Sequence, residues 1–144
     1  MESYMNRISN TGIVPVVKIL EKEDAYPLAK ALLNGGIDVI EVTYRSEHAT
    51  SAIQTISEQL PDMLVGAGTV LSVEQAKEAV EAGAKFIITP GFNTKVVQWC
   101  LDHDVEVYPG VSTASEVEMA LSMGLTQLKF FPAESSGGAK KLKD

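Results

Sequence analysis

The first residue that could do chemistry is a lysine inside an apolar segment. Lys129 follows Leu128 and precedes Phe130 and Phe131, with no other charge nearby. Alternate side chains of a strand point to opposite faces, so Lys129 and Phe131 share one face while Leu128 and Phe130 share the other. An ammonium group removed from water loses its proton more readily, and the neutral amine can condense with a ketone. The alternative interpretation is a lysine at a strand end whose amine reaches water.

A second charge inside an apolar segment belongs to a carboxylate. Glu41, Thr43 and Arg45 alternate along residues 39–45, so a strand here places all three on one face. A carboxyl group in a partly desolvated site can hold and release protons near neutral pH. Arg45 could bind a carboxylate through two parallel hydrogen bonds. The alternative is a structural ion pair between Glu41 and either Lys129 or Arg45.

A third candidate is a hydroxyl group that follows small residues. Thr69 comes directly after Gly66, Ala67 and Gly68, which would let a ligand approach the backbone closely. The hydroxyl of Thr69 could complete an anion pocket there, although a turn or helix cap explains such a threonine equally well. A dinucleotide-binding loop is disfavoured, because no third glycine and no ribose-binding acid follow at the required places.

The elements that must hold these residues alternate between strands and helices. Short apolar segments predict six strands, at residues 13–17, 39–42, 64–65, 86–88, 105–108 and 127–131. In the segments between these strands, apolar residues recur at helical spacing, and capping boxes are present at residues 72–75 and 113–116. Glycines that can end a helix precede the next strand, at positions 35, 36, 83 and 124.

This repeated order of strand, helix, glycine and strand is typical of βαβ units with parallel strands. The units recur about every 23 residues, a spacing compact enough for a (β/α)8 TIM-barrel-type α/β fold. A doubly wound sheet is the competing architecture. We count about six of the eight βα units, so we expect residues 1–144 to form one barrel domain that is cut short at its C-terminal end, with residues 139–144 opening a helix.

Composition narrows the possible partners. The 144 residues carry a net charge of −7 and contain no basic run, which argues against nucleic acid or an anionic membrane surface. Neither a signal peptide nor a membrane span is evident. One cysteine excludes an intrachain disulfide, and one cysteine with two distant histidines makes a zinc site improbable. These features predict a soluble, cytoplasmic domain.

Six ordered motifs give the chain a resemblance to a known family. They are GIVPVV at 12–17, GIDVIEVTYR at 36–45, VGAGTV at 65–70, ITPG at 88–91, PGVST at 109–113 and KFFPAE at 129–134. In these motifs the chain closely resembles 2-keto-3-deoxy-6-phosphogluconate (KDPG) aldolases, some of which also cleave 4-hydroxy-2-oxoglutarate. The resemblance extends over essentially the whole chain.

The resemblance implies a function and a role for each candidate residue. It implies a (β/α)-barrel, usually a homotrimer, that needs no metal or organic cofactor and takes a small keto acid as substrate. Lys129 would form the Schiff base, Glu41 would be the general acid and base, and Arg45 and Thr69 would bind the carboxylate end of pyruvate. Two alternatives remain open: a non-catalytic fragment of such a barrel, and a phosphate-binding isomerase barrel.

Overall fold

The structure is a computed structural model that describes residues 3–144. Strands and helices alternate along the chain after an N-terminal helix. The strands are β1 (Val16–Val17), β2 (Val39–Thr43), β3 (Leu64–Gly68), β4 (Phe86–Thr89), β5 (Glu106–Val111) and β6 (Lys129–Phe130). The α-helices are α1 (Tyr4–Thr11), α2 (Ala25–Asn34), α3 (Ala49–Gln59), α4 (Val73–Glu81), α5 (Thr94–Asp102), α6 (Ala114–Ser122) and α7 (Gly138–Lys141).

The six strands form one parallel sheet in which sequence order equals spatial order. Each strand pairs with the next along the chain, from β1 to β6, with a helix between successive strands. The sheet curls into a half-barrel, and β1 and β6 are its two edges. The predicted TIM-barrel-type α/β architecture with six units is therefore confirmed. A doubly wound sheet is excluded, because it would reverse its strand order at one point.

Two apolar clusters lie on opposite faces of the curled sheet. The larger cluster joins the outer face of the strands to the helices and includes Ile40, Val42, Ile53 and Ile56. The smaller cluster fills the concave side, here called the lumen, with side chains from β2 to β5. Its buried members are Val39, Leu64, Phe86, Ile88 and Tyr108. Strands covered on both faces explain why the apolar segments lack strict polar alternation.

Helix α1 closes the amino-terminal end of the lumen. Tyr4, Met5 and Ile8 pack against the lumen cluster. Arg7 binds Asp38, which directly precedes β2, through an Nε–Oδ2 contact of 2.8 Å. Sequence analysis did not predict this helix, although Tyr4, Met5 and Ile8 recur at helical spacing and the Ser3 side chain caps it by accepting from Met5 N. The carboxyl ends of the strands carry the candidate site residues.

The two predicted capping boxes have different outcomes. At α6 the box is complete, since Thr113 accepts from Glu116 N and the Glu116 carboxylate accepts from Thr113 N. At α4 only half forms: Ser72 accepts from Gln75 N, but the Gln75 amide oxygen accepts from Leu71 N instead of Ser72 N. Both helices nevertheless begin where the sequence predicts.

Several predicted bounds change at the edges of the sheet. The first strand covers only Val16–Val17 instead of residues 13–17, and the sixth covers Lys129–Phe130 instead of 127–131. An edge strand has one neighbour to pair with, so fewer of its residues are held in a ladder. The helix expected at 139–144 forms as the single turn α7. Within residues 3–144, no helix combines the length and apolar character needed to cross a membrane.

Gly66 provides a test of lumen packing. A Cβ at Gly66 would lie 2.1 Å from Cε2 of Phe86, whereas a Cβ at Gly91 would meet nothing within 4 Å. We expect Gly66→Ala to lower the free energy of unfolding by about 1–3 kcal/mol through overpacking. Gly91→Ala should change it by less than about 0.5 kcal/mol. Urea unfolding followed by circular dichroism measures both, and equal midpoints for the two variants would contradict the packing described.

Candidate active site

The centre of the candidate site is a contact across the lumen between β6 and β2. Lys129 Nζ lies 3.6 Å from Glu41 Oε1. The two strands are not neighbours in the sheet, since β3, β4 and β5 lie between them. The curl of the half-barrel therefore brings together two residues that are 88 positions apart in the sequence. Both side chains project from the face that strand alternation predicts.

Glu41 is buried and incompletely paired. Its side chain is 3% exposed, against 27% for Lys129. The 3.6 Å separation is that of an ion pair and is too long for a direct hydrogen bond. Among the described residues, Glu41 Oε1 has no hydrogen-bond partner. Burial raises the pKa of the Glu41 carboxyl group, while the nearby charges of Lys129 and Arg45 lower it by a smaller amount.

Gly68 makes room for the carboxylate. A Cβ at this position would lie 1.9 Å from Glu41 Oε1 and 2.6 Å from Glu41 Cδ. The Glu41 carboxylate therefore rests directly against the backbone of β3. Gly68 supplies this space because it has no side chain, and any other residue would displace the oxygen that faces Lys129.

Arg45 lies four residues beyond Glu41 and two residues past the end of β2. Its side chain is exposed, and its Nε donates a hydrogen bond of 3.2 Å to the Thr43 hydroxyl. Thr43 in turn donates to the carbonyl oxygen of Val17 at 2.8 Å. Strand alternation indicated that Thr43 and Arg45 share a face, but it did not show that one side chain holds the other.

Thr69 directly follows β3, next to Gly68. Its backbone φ is 53°, in the left-handed region that β-branched residues rarely adopt. Backbone strain of this kind is common at binding sites, where surrounding structure holds it in place. Within residues 3–144 its hydroxyl forms no side-chain hydrogen bond, so the structure does not join Thr69 to Arg45 or Lys129 by a direct contact. The loop nevertheless places Thr69 beside the Glu41–Gly68 contact.

An aromatic ring completes the surroundings of the amine. The Phe131 ring centroid lies 4.9 Å from Lys129 Nζ, within the range of a cation–π contact. Sequence alternation placed Phe131 on the same face as Lys129, yet assigned it no role. A ring two residues after a lysine in a strand is the signal that could have identified it.

Taken together, these side chains present an amine, a buried carboxyl group and a guanidinium group on one side of the sheet. An amine beside a group that gives and takes protons can form and hydrolyse imines with carbonyl compounds. Within residues 3–144, no three histidine, cysteine, aspartate or glutamate side chains cluster as metal ligands would. The fold and the site thus define a TIM-barrel-type α/β protein with a lysine–glutamate pair in its lumen.

Comparison with known proteins identifies the family. The family model described as KDPG and KHG aldolase matches residues 4–144, and the chain belongs to this family. The 2-dehydro-3-deoxy-phosphogluconate aldolase of Treponema pallidum is 48% identical and covers 96% of the chain. The KHG/KDPG aldolase of Escherichia coli K12 is 44% identical and covers 94%.

A solved structure extends the comparison to three dimensions. The KDPG aldolase of Legionella pneumophila, with pyruvate captured at low pH as a covalent carbinolamine intermediate, superposes with a TM-score of 0.88. It is 43% identical and covers 90% of the chain. The chain spans 66%, 64% and 63% of the lengths of these three proteins, or just under two thirds.

The raised pKa of Glu41 predicts a pH-dependent stability. On raising the pH from about 4, the unfolded chain releases this proton before the folded chain does, so the free energy of unfolding falls until the folded pKa is passed. Glu41→Gln removes this titration. We therefore expect the stability of Glu41→Gln relative to the parent to increase between about pH 4 and pH 7.

Chemical unfolding of the two proteins at a series of pH values measures this difference. Glu118→Gln is the matched control, because Glu118 is exposed on α6 and the same exchange there removes a carboxyl group that is not buried. A parent that gains stability relative to Glu41→Gln as the pH rises would contradict the predicted direction.

Proposed function

We propose that this chain is a class I aldolase whose Lys129 forms a Schiff base with a 2-keto acid. The observation that carries the proposal is the 3.6 Å contact between Lys129 Nζ and the buried carboxyl group of Glu41. Imine formation requires proton transfer at each step. A carboxyl group whose pKa burial raises is suited to exchange those protons.

In the first stage, the neutral amine of Lys129 attacks the C2 carbonyl carbon of the keto acid and forms a carbinolamine. Glu41 donates a proton to the C2 hydroxyl group, which leaves as water. The product is a protonated imine, and Glu41 is left as a carboxylate. The Legionella aldolase structure, in which pyruvate is held as a carbinolamine, supports this order of events by similarity.

In the second stage, the carboxylate of Glu41 takes the proton of the C4 hydroxyl group. The O–H electrons form the aldehyde carbonyl, the C3–C4 bond breaks, and its electrons pass to the imine, which becomes an enamine. The aldehyde leaves. Glu41 returns its proton to C3, which gives a protonated imine. Water hydrolyses this imine to pyruvate and the free amine, and the proton released goes back to Glu41.

Arg45 and Thr69 would bind the carboxylate of the keto acid during both stages. The guanidinium group can form two parallel hydrogen bonds, and the Thr69 hydroxyl is free of other side-chain hydrogen bonds within residues 3–144. Holding the carboxylate sets the C2 carbonyl at a constant distance from Lys129. Positioning of this kind contributes to rate because the reacting atoms are already aligned.

We propose two substrates on the basis of the relatives. The first is 2-dehydro-3-deoxy-6-phosphogluconate, which would give pyruvate and glyceraldehyde 3-phosphate. The second is 4-hydroxy-2-oxoglutarate, which would give pyruvate and glyoxylate. The names of the Treponema and Escherichia proteins support the proposal, and both cleavages share the pyruvate portion that Lys129, Glu41 and Arg45 would bind.

Borohydride trapping tests the proposal directly. The chain is incubated with pyruvate, reduced with sodium borohydride and analysed by mass spectrometry with peptide mapping. We expect one pyruvate-sized adduct on Lys129, since reduction makes the imine permanent. Lys129→Ala should lose the adduct and nearly all turnover, whereas Lys77→Ala, which removes an exposed lysine of α4, should retain both.

The trapping experiment also distinguishes the proposed function from the two alternatives. Folded chain without an adduct would contradict the proposal and favour the non-catalytic barrel fragment. Turnover of a sugar phosphate without an adduct would favour the isomerase barrel.

The Glu41→Gln variant keeps the amine of Lys129, and in the same trapping experiment it should form the adduct at least about tenfold more slowly than the parent. An unchanged rate would contradict the acid–base role of Glu41.

We also propose a homotrimer that acts in the cytoplasm. Large apolar side chains on the surface support assembly, since Ile13, Leu20 and Leu71 are 61%, 63% and 57% exposed. A free, buried Cys100 is compatible with a reducing compartment. Sedimentation equilibrium should give three times the chain mass of 15.5 kDa, and a monomer at all concentrations would contradict assembly.

A further inference from the structure

Thr43 is a buried polar residue to which the proposed reaction assigns no role. It is the last residue of β2 and is 1% exposed. It lies between Glu41 and Arg45 in the sequence and on the same face of the strand. A buried hydroxyl group must be hydrogen-bonded, and the two partners of this one lie on different parts of the fold.

The direction of each hydrogen bond follows from the chemistry of the groups. A threonine hydroxyl has one proton, and Thr43 donates it to the carbonyl oxygen of Val17 at 2.8 Å. The hydroxyl oxygen then points its lone pairs away from Val17 and accepts from Arg45 Nε at 3.2 Å. Arginine has no acceptor, so this bond has only one possible direction.

We propose that Thr43 is a positioning residue that orients the Arg45 guanidinium group for the keto-acid carboxylate. The inference deepens the proposed function and rests on it. With Nε engaged by Thr43, the two terminal nitrogens of Arg45 remain for the substrate. The carboxylate is therefore bound end-on by Nη1 and Nη2, not side-on by Nε and Nη2.

The exposure of Arg45 explains why such an anchor matters. A long, exposed side chain samples many rotamers, and ordering it when the substrate binds costs free energy. The Thr43 bond restricts Arg45 before the substrate arrives. Because Thr43 is itself tied to β1, the guanidinium group is oriented relative to two strands of the barrel and not to its own strand alone.

A purely structural role for Thr43 predicts a different outcome. The Thr43–Val17 bond lies just beyond the ladder pairs Val16–Glu41 and Val17–Val42 that hold the short edge strand β1. If this bond only secured β1, its loss would affect every carbonyl substrate equally. If Thr43 orients Arg45, its loss affects only substrates that carry a carboxylate.

The experiment compares two carbonyl probes at Lys129. Pyruvate carries a carboxylate, and acetone is a ketone without one. Adduct formation on Lys129 after borohydride reduction is measured against probe concentration, with peptide mapping. For Thr43→Val we expect the half-saturating concentration of pyruvate to rise about threefold to tenfold, the effect of one lost hydrogen bond. Labelling by acetone should not change.

Three further variants make the comparison specific. Thr43→Ser keeps the hydroxyl group and should restore pyruvate binding. Thr50→Val is the matched control, because it removes a half-buried hydroxyl that pairs with Tyr44 on the outer side of the sheet. In an Arg45→Gln background, Thr43→Val should add no further loss for pyruvate, since residues that act through one another are not additive.

Each result decides between the possibilities. Equal losses for pyruvate and acetone, or no loss in a folded Thr43→Val chain, would overturn the role of Thr43. A parent chain without any pyruvate adduct would instead overturn the proposed function. If Thr43→Val does not fold, the Nε–H signal of Arg45 in the parent is decisive: slow exchange with water is expected, and exchange as fast as in free arginine would refute the anchor.

Discussion

The site depends on a carboxyl group held in a space that has little water. Glu41 is buried against the bare backbone of Gly68, and the charged amine of Lys129 faces it across the lumen. Removing a carboxylate from water is costly unless charge or hydrogen bonds compensate. Here the compensation from Lys129 and Arg45 is partial, and the pKa of Glu41 remains raised. Such a group readily exchanges a proton with an adjacent amine or substrate.

The rest of the fold maintains this arrangement. Parallel pairing places Glu41 and Lys129 on strands whose carboxyl ends point the same way, and the curl of the sheet turns both side chains into one lumen. The Phe86 ring packs against the bare backbone of Gly66, and helix α1 covers the amino-terminal end of the lumen. The glycines of β3 are therefore steric requirements: Gly66 leaves room for the Phe86 ring, and Gly68 leaves room for the Glu41 carboxylate.

Much of the architecture could be predicted from the sequence, because it follows from local rules. Strands appeared as short apolar segments, helix starts as capping residues and helix ends as glycines such as Gly36 and Gly83, which have positive φ. Lys129 and Glu41 could be identified as candidates because each is a charge inside an apolar segment. Strand ends were less predictable, since the extent of β1 and β6 depends on neighbours that no local pattern shows.

The amino-acid sequence by itself determined which residue types stand at which strand positions, and hence which face each side chain takes. Only the tertiary structure decided which of those side chains meet. The 3.6 Å distance from Lys129 to Glu41, the fit of that carboxylate against Gly68 and the hydrogen bond from Thr43 to Val17 all join separate strands. The physical reason is the separation along the chain over which each effect acts. The alternation of side chains repeats every two residues, whereas the curl of the sheet results from packing between elements that are far apart in the sequence.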